Sequence, residues 1–252
     1  MATKTYLALD TEMFWDEHLY EAHRAMDRKS DFRATAVKRI MAASVLEFSI
    51  DDEGRVETGA LTSWTEHDWG DEEAVVGRMF DYLRARADTP VLTFGGLATD
   101  IPVLLLASIA HGVALPPQLI DQPGRKGPRP HLDLGLMLKG GGKTWTHLSQ
   151  LLLRMNVPVE LVAAKPGVSR PATSEDWQEL RDHVELDCLL LALAKTGWLV
   201  AQGTNGLPFE PAAIGLIAGF LRRRPDHARR AELLHYAAEL EQAWAQAFSR
   251  AA

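Results

Sequence analysis

The sequence predicts an α/β fold in which a mixed β-sheet is covered by helices and followed by a helical C-terminal extension. The order of elements is the first reason: three strand-like segments come first, and a helix, a short strand and several helices follow. The composition is the second, since 46% hydrophobic and 24% charged residues are near the average for globular proteins and supply a sizeable core. The length of 252 residues fits one α/β domain with an extension.

Three strands are predicted in the first part of the chain. The first covers residues 5 to 12, where apolar side chains alternate weakly and acids follow. Residues 40 to 50 and 55 to 64 form a predicted hairpin, because the acidic residues and glycine at 51 to 54 favour a turn.

The middle of the chain predicts a helix, a strand and a second helix. Apolar residues recur at helical intervals over 72 to 87, and a short buried strand is expected at 91 to 94. The second helix is expected from 101 to 112. Residues 122 to 130 are rich in Pro, Gly and basic residues and predict a surface loop, after which order resumes at 131 to 138.

The last third of the chain is predicted to be helical, over residues 146 to 155, 174 to about 200, and 211 to the C-terminus. We therefore expect a domain of residues 1 to 202 and a helical extension of residues 203 to 252. The extension is amphipathic, so it is expected to pack on this domain or on a second copy, which makes a homodimer possible.

The net charge of -7 argues against a uniformly basic surface for holding nucleic acid. It does not exclude an enzyme that acts on nucleic acid, because metal ions in an acidic site supply positive charge that the sequence does not count. The densest positive run is interpreted as a solvated face, with contact to phosphates as the alternative; it comprises Arg222, Arg223, Arg224, Arg229 and Arg230.

Location and redox chemistry are constrained by what the sequence contains. No stretch reaches about 18 uninterrupted apolar residues, so no membrane span is predicted. Acids stand near the N-terminus where a secretory signal would have its apolar run, which favours a cytoplasmic protein. The single cysteine, Cys188, excludes an intramolecular disulfide.

Two acids on the first predicted strand have the spacing of metal ligands. Asp10 and Glu12 are two residues apart, so their side chains point to the same face of the strand. The alternative is a pair of solvated acids at a strand end, and a bare D-x-E motif favours it.

Further polar residues stand at positions typical of a site. Asp100 follows a strand and a Gly-Gly turn at the start of a helix, the usual place for a ligand-facing residue in an α/β sheet, although a plain N-cap is the alternative. His183 and Asp187 are four residues apart and share one helix face. An ordinary polar surface is the alternative there, but leucines surround Asp187, and a carboxylate among them needs a partner or a metal.

The order of these motifs resembles that of the DEDD superfamily of 3′-to-5′ exonucleases, whose fold is ribonuclease H-like. D-x-E on the first strand is followed by an Asp at a later helix start and by H-x-x-x-D on a late helix. Three segments look like the predicted exonuclease branch related to the proofreading domain of family B polymerases. They are residues 91 to 105 (VLTFGGLATDIPVLL), 131 to 138 (HLDLGLML) and 180 to 193 (LRDHVELDCLLLAL). The resemblance covers roughly residues 5 to 202.

This resemblance implies a site, cofactors and a substrate. Two Mg²⁺ or Mn²⁺ ions would be held by the four acids Asp10, Glu12, Asp100 and Asp187. Hard cations prefer such oxygen ligands, and a pair of them stabilises both the attacking and the leaving oxygen of an in-line displacement. The implied reaction is hydrolysis of the terminal phosphodiester at the 3′ end of single-stranded DNA or RNA, or of a frayed end, with release of a nucleoside monophosphate.

His183 departs from the superfamily pattern. The Tyr-type branch has a tyrosine four residues before the last Asp, and the His-type branch has a histidine five residues before it. In this sequence His183 stands four residues before Asp187, in the tyrosine position, and Asp182 stands in the position of the His-type histidine. An imidazole with an ordinary pKa near 6.5 can serve as a general base for the attacking water or orient it. The alternative is a spectator residue in a weakened enzyme.

Other departures leave a second function open. Residues 97 to 100 read LATD, whereas the family usually has a Gly or Asn and a Phe before this Asp. This difference puts the substrate preference implied by the resemblance in doubt. His131 and Asp133 match the HLDL pattern of the branch, with a structural hydrogen-bond pair favoured over a third metal site. The alternative function is a catalytically weak protein that keeps the fold to bind nucleic acid or a protein partner.

Overall fold

The computed structural model of the chain describes residues 3–26, 29, 34–120, 130–163, 170–204 and 206–251, without the side chains at 248, 250 and 251. The predicted surface loop at 122 to 130 lies outside these residues except for its last position.

Five strands form one mixed sheet, in the spatial order β3-β2-β1-β4-β5. The strands are β1 (Lys4–Trp15), β2 (Lys38–Ile50), β3 (Val56–Thr65), β4 (Val91–Thr93) and β5 (His131–Asp133). The first three pair antiparallel, and β4 and β5 add parallel to β1. The mixed sheet and the helices on it confirm the predicted fold class, and this strand order is the ribonuclease H-like arrangement.

Ten α-helices occur in the described residues: α1 (Glu17–Met26), α2 (Glu66–Trp69), α3 (Glu72–Arg84), α4 (Asp100–His111), α5 (Leu134–Lys139), α6 (Leu148–Arg154), α7 (Val159–Val162), α8 (Ser174–Ala201), α9 (Phe209–Arg223) and α10 (Arg230–Ala251). The prediction of one helix from 211 to the C-terminus is wrong. The chain leaves the helix at Arg224 because Pro225 disfavours α-helical backbone at the residue before it, and α10 begins after a turn.

Helices cover both faces of the sheet because side chains alternate along β1. Tyr6 and Ala8 pack with α8, α9 and α10 in one hydrophobic cluster. Leu7 and Leu9 pack with α3 and α4 in the other. The same alternation continues into the polar end of β1, so that residues 10 and 12 follow the α8 face and residue 11 follows the α4 face.

The C-terminal helices share a core with the sheet. Phe220 of α9 and Tyr236 of α10 are buried in the same cluster as Tyr6. Helix α9 lies so close to β3 that a Cβ atom at Gly219 would stand 2.1 Å from Oγ1 of Thr58. Only glycine allows this approach. Among the described residues, no helix is long and apolar enough to cross a membrane.

Candidate metal-binding active site

A cleft of about 510 Å³ lies beyond the carboxyl ends of β1 and β4, the usual ligand position in an open α/β sheet. The carboxylates that line it are Asp10, Glu12, Asp100 and Asp187. Its walls also contain Thr11, Met13, Phe14, Trp15, Lys38, Phe94, Thr99, His147 and Leu148. The four acids predicted from separate motifs therefore face one cavity, although they come from β1, α4 and α8.

Strand β1 and helix α8 bring three of the predicted residues into contact. Nε2 of His183 lies 3.2 Å from Oε1 of Glu12 and 3.6 Å from Oδ2 of Asp187. One potential ligand atom of each residue lies within 4.8 Å of the others. We call Glu12, His183 and Asp187 the front cluster. Its side chains remain partly accessible, with Glu12 23% and Asp187 14% exposed.

Asp100 reaches the cleft from the other side of β1. The hydroxyl of Thr11 donates to Oδ1 of Asp100, and the hydroxyl of Thr99 donates to Oδ2 at 2.8 Å. Burial raises the pKa of the Asp100 carboxyl; the two hydroxyls lower it and the negative charge of Glu12 raises it. A cation in the cleft would offset both the burial and the repulsion.

The turn before Asp100 is fixed by Asp133, at the end of β5. The backbone N–H groups of Gly95 and Leu97 donate to its two carboxylate oxygens at 2.7 and 2.9 Å. His131 contacts the hydroxyl of Thr93 through Nε2 at 2.8 Å. His131 and Asp133 thus make structural hydrogen bonds, as the sequence analysis favoured. Their partners are Thr93 of the neighbouring strand β4 and the backbone of the turn that follows it.

The donor set of the cleft fits divalent cations. Its lining supplies four carboxylates and one lysine, and hard cations such as Mg²⁺ and Mn²⁺ take oxygen ligands. The front cluster adds an imidazole beside these carboxylates. The residues that would hold such ions are Asp10, Glu12, Asp100 and Asp187.

A second group with similar spacing lies on the opposite side of α8. Asp182, Glu185 and His227 also have potential ligand atoms within 4.8 Å of one another. Here, however, the guanidinium of Arg224 donates to both carboxylates. Because an arginine already supplies the positive charge, this group does not need a metal. We call Asp182, Glu185, Arg224 and His227 the rear cluster.

Arg224 also corrects the interpretation of the arginine run as a solvated face. Its side chain is only 16% exposed and forms ion pairs with two buried acids. Arg222 and Arg223, in contrast, are exposed. No sequence signal distinguishes Arg224 from its neighbours, because its partners lie some 40 residues earlier in the chain.

Several residues of the cleft wall were not predicted from the sequence, among them Phe14, Trp15, Lys38 and His147. Phe14 and Trp15 belong to β1, which continues three residues past its predicted end; the apolar run of residues 13 to 15 was the available signal. Lys38 pairs in register with Trp15 at the start of β2. His147 precedes α6, and nothing local marks it or Lys38 as part of the site.

Comparison with known proteins assigns the chain to a family. Residues 30–189 match the family described as a predicted 3′-5′ exonuclease related to the exonuclease domain of PolB. The match covers more than half of the chain, so the chain belongs to this family, and the resemblance seen in the sequence is confirmed. It includes Asp100, His183 and Asp187, whereas Asp10, Glu12 and the C-terminal helices lie outside it.

Several solved structures are similar to this chain. The family B DNA polymerase of the hyperthermophilic archaeon Pyrobaculum calidifontis is 14% identical, with a TM-score of 0.47, over 87% of this chain and 29% of the polymerase. Apo exonuclease I is 13% identical, with a TM-score of 0.36, over 80% of this chain and 47% of that one. An E. coli exonuclease I complex with single-stranded DNA and zinc is 12% identical, with a TM-score of 0.36, over 79% and 42%.

The chain thus spans less than half the length of these structures. A comparison with curated proteins found no match.

Proposed function

We propose that this protein is a metal-dependent 3′-to-5′ exonuclease that hydrolyses the terminal phosphodiester of single-stranded or frayed nucleic acid and releases nucleoside monophosphates. The observation that carries this proposal is the convergence of Asp10, Glu12, Asp100 and Asp187 on one cleft, in a member of a predicted exonuclease family. Acids of this number around one cavity are costly to stability unless a cation binds between them.

The four acids hold two Mg²⁺ or Mn²⁺ ions in this proposal. When bound, such ions polarise the scissile phosphate and stabilise the attacking and leaving oxygens. The protein's own contribution is to orient the carboxylates. Thr11 and Thr99 fix Asp100, and the pleat of β1 presents Asp10 and Glu12 on one face.

His183 is assigned the handling of the water proton. Its Nε2 lies beside Glu12 and Asp187, whose negative charges stabilise the ring once it is protonated, so the ring can take up the proton that the attacking water loses. The same contacts restrict the ring to one orientation. In this proposal His183 replaces the tyrosine of the Tyr-type branch.

The walls of the cleft support a single-stranded substrate. Phe14, Trp15 and Phe94 line it, and aromatic rings of this kind stack on unpaired bases without sequence preference. Lys38 supplies a positive charge beside Trp15 for a phosphate. This combination of rings and one cation among acids fits the 3′ end of a strand better than a duplex.

The test is degradation of 5′-labelled single-stranded DNA and RNA with Mg²⁺, Mn²⁺ or EDTA, beside Asp10→Asn and a control. Glu179→Gln is a matched control, since it removes an exposed carboxylate from α8 outside the cleft. We expect a ladder that shortens from the 3′ end and disappears with EDTA and in Asp10→Asn, but persists in Glu179→Gln. Shortening that resists EDTA would overturn the proposal.

The second candidate is a catalytically weak protein that binds nucleic acid, and the histidine in the tyrosine position favours it. A side chain shorter than tyrosine, held by two carboxylates, has less freedom to follow the substrate. Binding of the labelled strand without any shortening in Mg²⁺ or Mn²⁺ would favour this candidate over the enzyme.

A further inference from the structure

Helix α8 presents acidic residues on two sides. His183 and Asp187 are four residues apart and lie beside Glu12 of the cleft lining, whereas Asp182 and Glu185 are three apart and contact the C-terminal extension. At 3.6 residues per turn the two pairs lie about 150° apart around the helix axis. Whatever holds the rear pair therefore also sets the rotation of the front pair.

Arg224 holds the rear pair through both acids. Its guanidinium donates to Oδ1 of Asp182 at 2.7 Å and to the carboxylate of Glu185. The acids are nearly buried, with side chains 10% and 4% exposed. Ser63 of β3 donates its hydroxyl hydrogen to the second oxygen of Glu185, which ties this member of the pair to the sheet.

The backbone of the turn between α9 and α10 adds further contacts to α8. The N–H of Ala228 donates to Oδ2 of Asp182 at 3.1 Å. Nε2 of His227 lies 2.9 Å from the carbonyl oxygen of Asp182, so this nitrogen carries the hydrogen, and Nδ1 accepts from the N–H of Arg229. Burial lowers the pKa of His227, in agreement with a neutral ring. The turn thus makes two contacts with Asp182 of α8, in addition to the one that Arg224 makes.

The extension does not depend on Arg224 to stay in place. Phe220 and Tyr236 are buried against the sheet, and Gly219 allows α9 to lie directly on Thr58. Loss of the arginine would leave two buried carboxylates without its positive charge, a costly state that a rotation of this part of α8 toward water would relieve. Such a rotation would displace His183 and Asp187 from Glu12.

We propose that Arg224 is a positioning residue for the active site, which fixes the rotation of α8 and so the placement of His183 and Asp187 in the cleft. This inference rests on the proposed function. Ligand groups must be held within about 0.5 Å for productive geometry, so a small rotation suffices to weaken the site. The C-terminal extension, outside the family match, would then be a part of the catalytic unit.

The experiment compares Arg224→Met and Arg224→Lys with Arg223→Met, a matched control because Arg223 is the exposed neighbour. Mn²⁺ affinity is measured by electron paramagnetic resonance, turnover by shortening of labelled DNA, and the imidazole signals of His183 by NMR in metal-free protein. All measurements are made well below the unfolding temperature. We expect Arg224→Met to weaken Mn²⁺ binding and kcat about 10- to 100-fold, with little change in KM.

In the same series, Arg224→Lys should recover part of the loss, and the His183 signals should shift in Arg224→Met but not in Arg223→Met. A double variant, Arg224→Met with Glu185→Gln, guards against simple unfolding because it removes one charge of each sign. If it folds stably and still binds Mn²⁺ weakly, the positioning role is supported.

If the folded Arg224→Met single variant and the folded double variant both keep wild-type Mn²⁺ affinity and turnover, the positioning role is overturned and the proposed function is not. A wild-type protein that neither binds Mn²⁺ nor shortens nucleic acid would overturn the proposed function and the positioning role with it.

Discussion

The front and rear clusters each combine residues of α8 with residues from other parts of the chain, yet their surroundings differ. Each combines a histidine with two carboxylates whose ligand atoms lie within 4.8 Å of one another. The rear cluster is closed, and Arg224 donates to both of its acids. The front cluster borders a cleft whose lining has four carboxylates and one lysine. Proximity of acids and histidine alone therefore does not indicate a metal site, and it is the open cavity with excess negative charge that favours the front cluster as the proposed one.

The two clusters also use histidine differently. His227 donates to a backbone carbonyl and accepts from a backbone N–H, so both of its nitrogens serve the fold. His183 has its Nε2 beside two carboxylates at the edge of the cleft. The first arrangement favours a fixed neutral ring, and the second fits the proton-accepting role proposed for His183.

Removing one acid from each cluster should have opposite effects on activity and stability. Asp187→Asn should lower turnover by about 10³-fold or more, because the proposed function makes Asp187 a metal ligand. Its thermal stability should be unchanged or higher, since one charge leaves an acidic cleft. Glu185→Gln should keep activity within about tenfold, but lose about 2 kcal/mol of unfolding free energy with the buried charged hydrogen bonds.

Nuclease assays and thermal unfolding of both variants test whether activity and stability change in these opposite ways. Glu179→Gln again provides the control for loss of a carboxylate on α8. Equal losses of turnover in Asp187→Asn and Glu185→Gln would show that the distinction between the two clusters is wrong.

The next effect concerns the histidine of the front cluster. His183→Ala should lower kcat about 100-fold, the lower range for loss of a general base, while Mn²⁺ affinity changes less. His183→Tyr, which restores the residue of the Tyr-type branch, should recover part of this rate. A pH profile of kcat separates the roles, because a proton-accepting His183 gives an acidic limb that the tyrosine variant lacks. An unchanged profile in His183→Tyr would contradict the proton role.

A smaller effect is expected where the extension that supplies Arg224 meets the sheet. Gly219→Ala should destabilise the protein by about 1 to 3 kcal/mol, because the added Cβ would stand 2.1 Å from Oγ1 and 2.4 Å from Cβ of Thr58. Gly77→Ala on α3 is the control, since its Cβ would meet nothing within 4 Å, and a gain of about 0.5 to 1 kcal/mol is expected there. Urea unfolding measures both; equal effects would refute the close contact.

The smallest effect concerns Lys195, a buried residue of α8 whose charge is positive, unlike the acids of the same helix. Burial lowers the pKa of Lys195 to about 8, from 10.5 in the unfolded chain. Between these values the unfolded chain binds more protons, so this group makes stability rise with pH. Lys195→Met should therefore be more stable than wild type by about 1 to 2 kcal/mol at pH 7, with a smaller difference at pH 9.5.

Urea unfolding of wild type and variant at the two pH values tests this prediction. Comparison of the pair removes the contribution of Cys188, whose raised pKa acts in the opposite direction near pH 9. Lys143→Met, at an exposed position, controls for loss of a lysine. A stability difference that is equal at pH 7 and pH 9.5 would contradict the lowered pKa.

Local regularities were enough to predict much of the fold and the placement of several residues of the candidate site. The alternation of β1 places Asp10 and Glu12 on one face, and the four-residue spacing on α8 places His183 and Asp187 on one face. Asp100 begins α4 after a turn, as its position predicted. These inferences succeeded because strand and helix periods are properties of short segments.

Only the tertiary structure decided which faces meet. Thr11 points to Asp100 while its neighbours point to α8, because β1 is central in the sheet and packs against helices on both sides. Lys38 joins the cleft because β2 pairs with the end of β1. Arg224 was indistinguishable from its neighbours in sequence, since its buried acids lie on a helix that folding brings next to it. Contacts between distant segments follow from packing of the whole chain, and no local pattern records them.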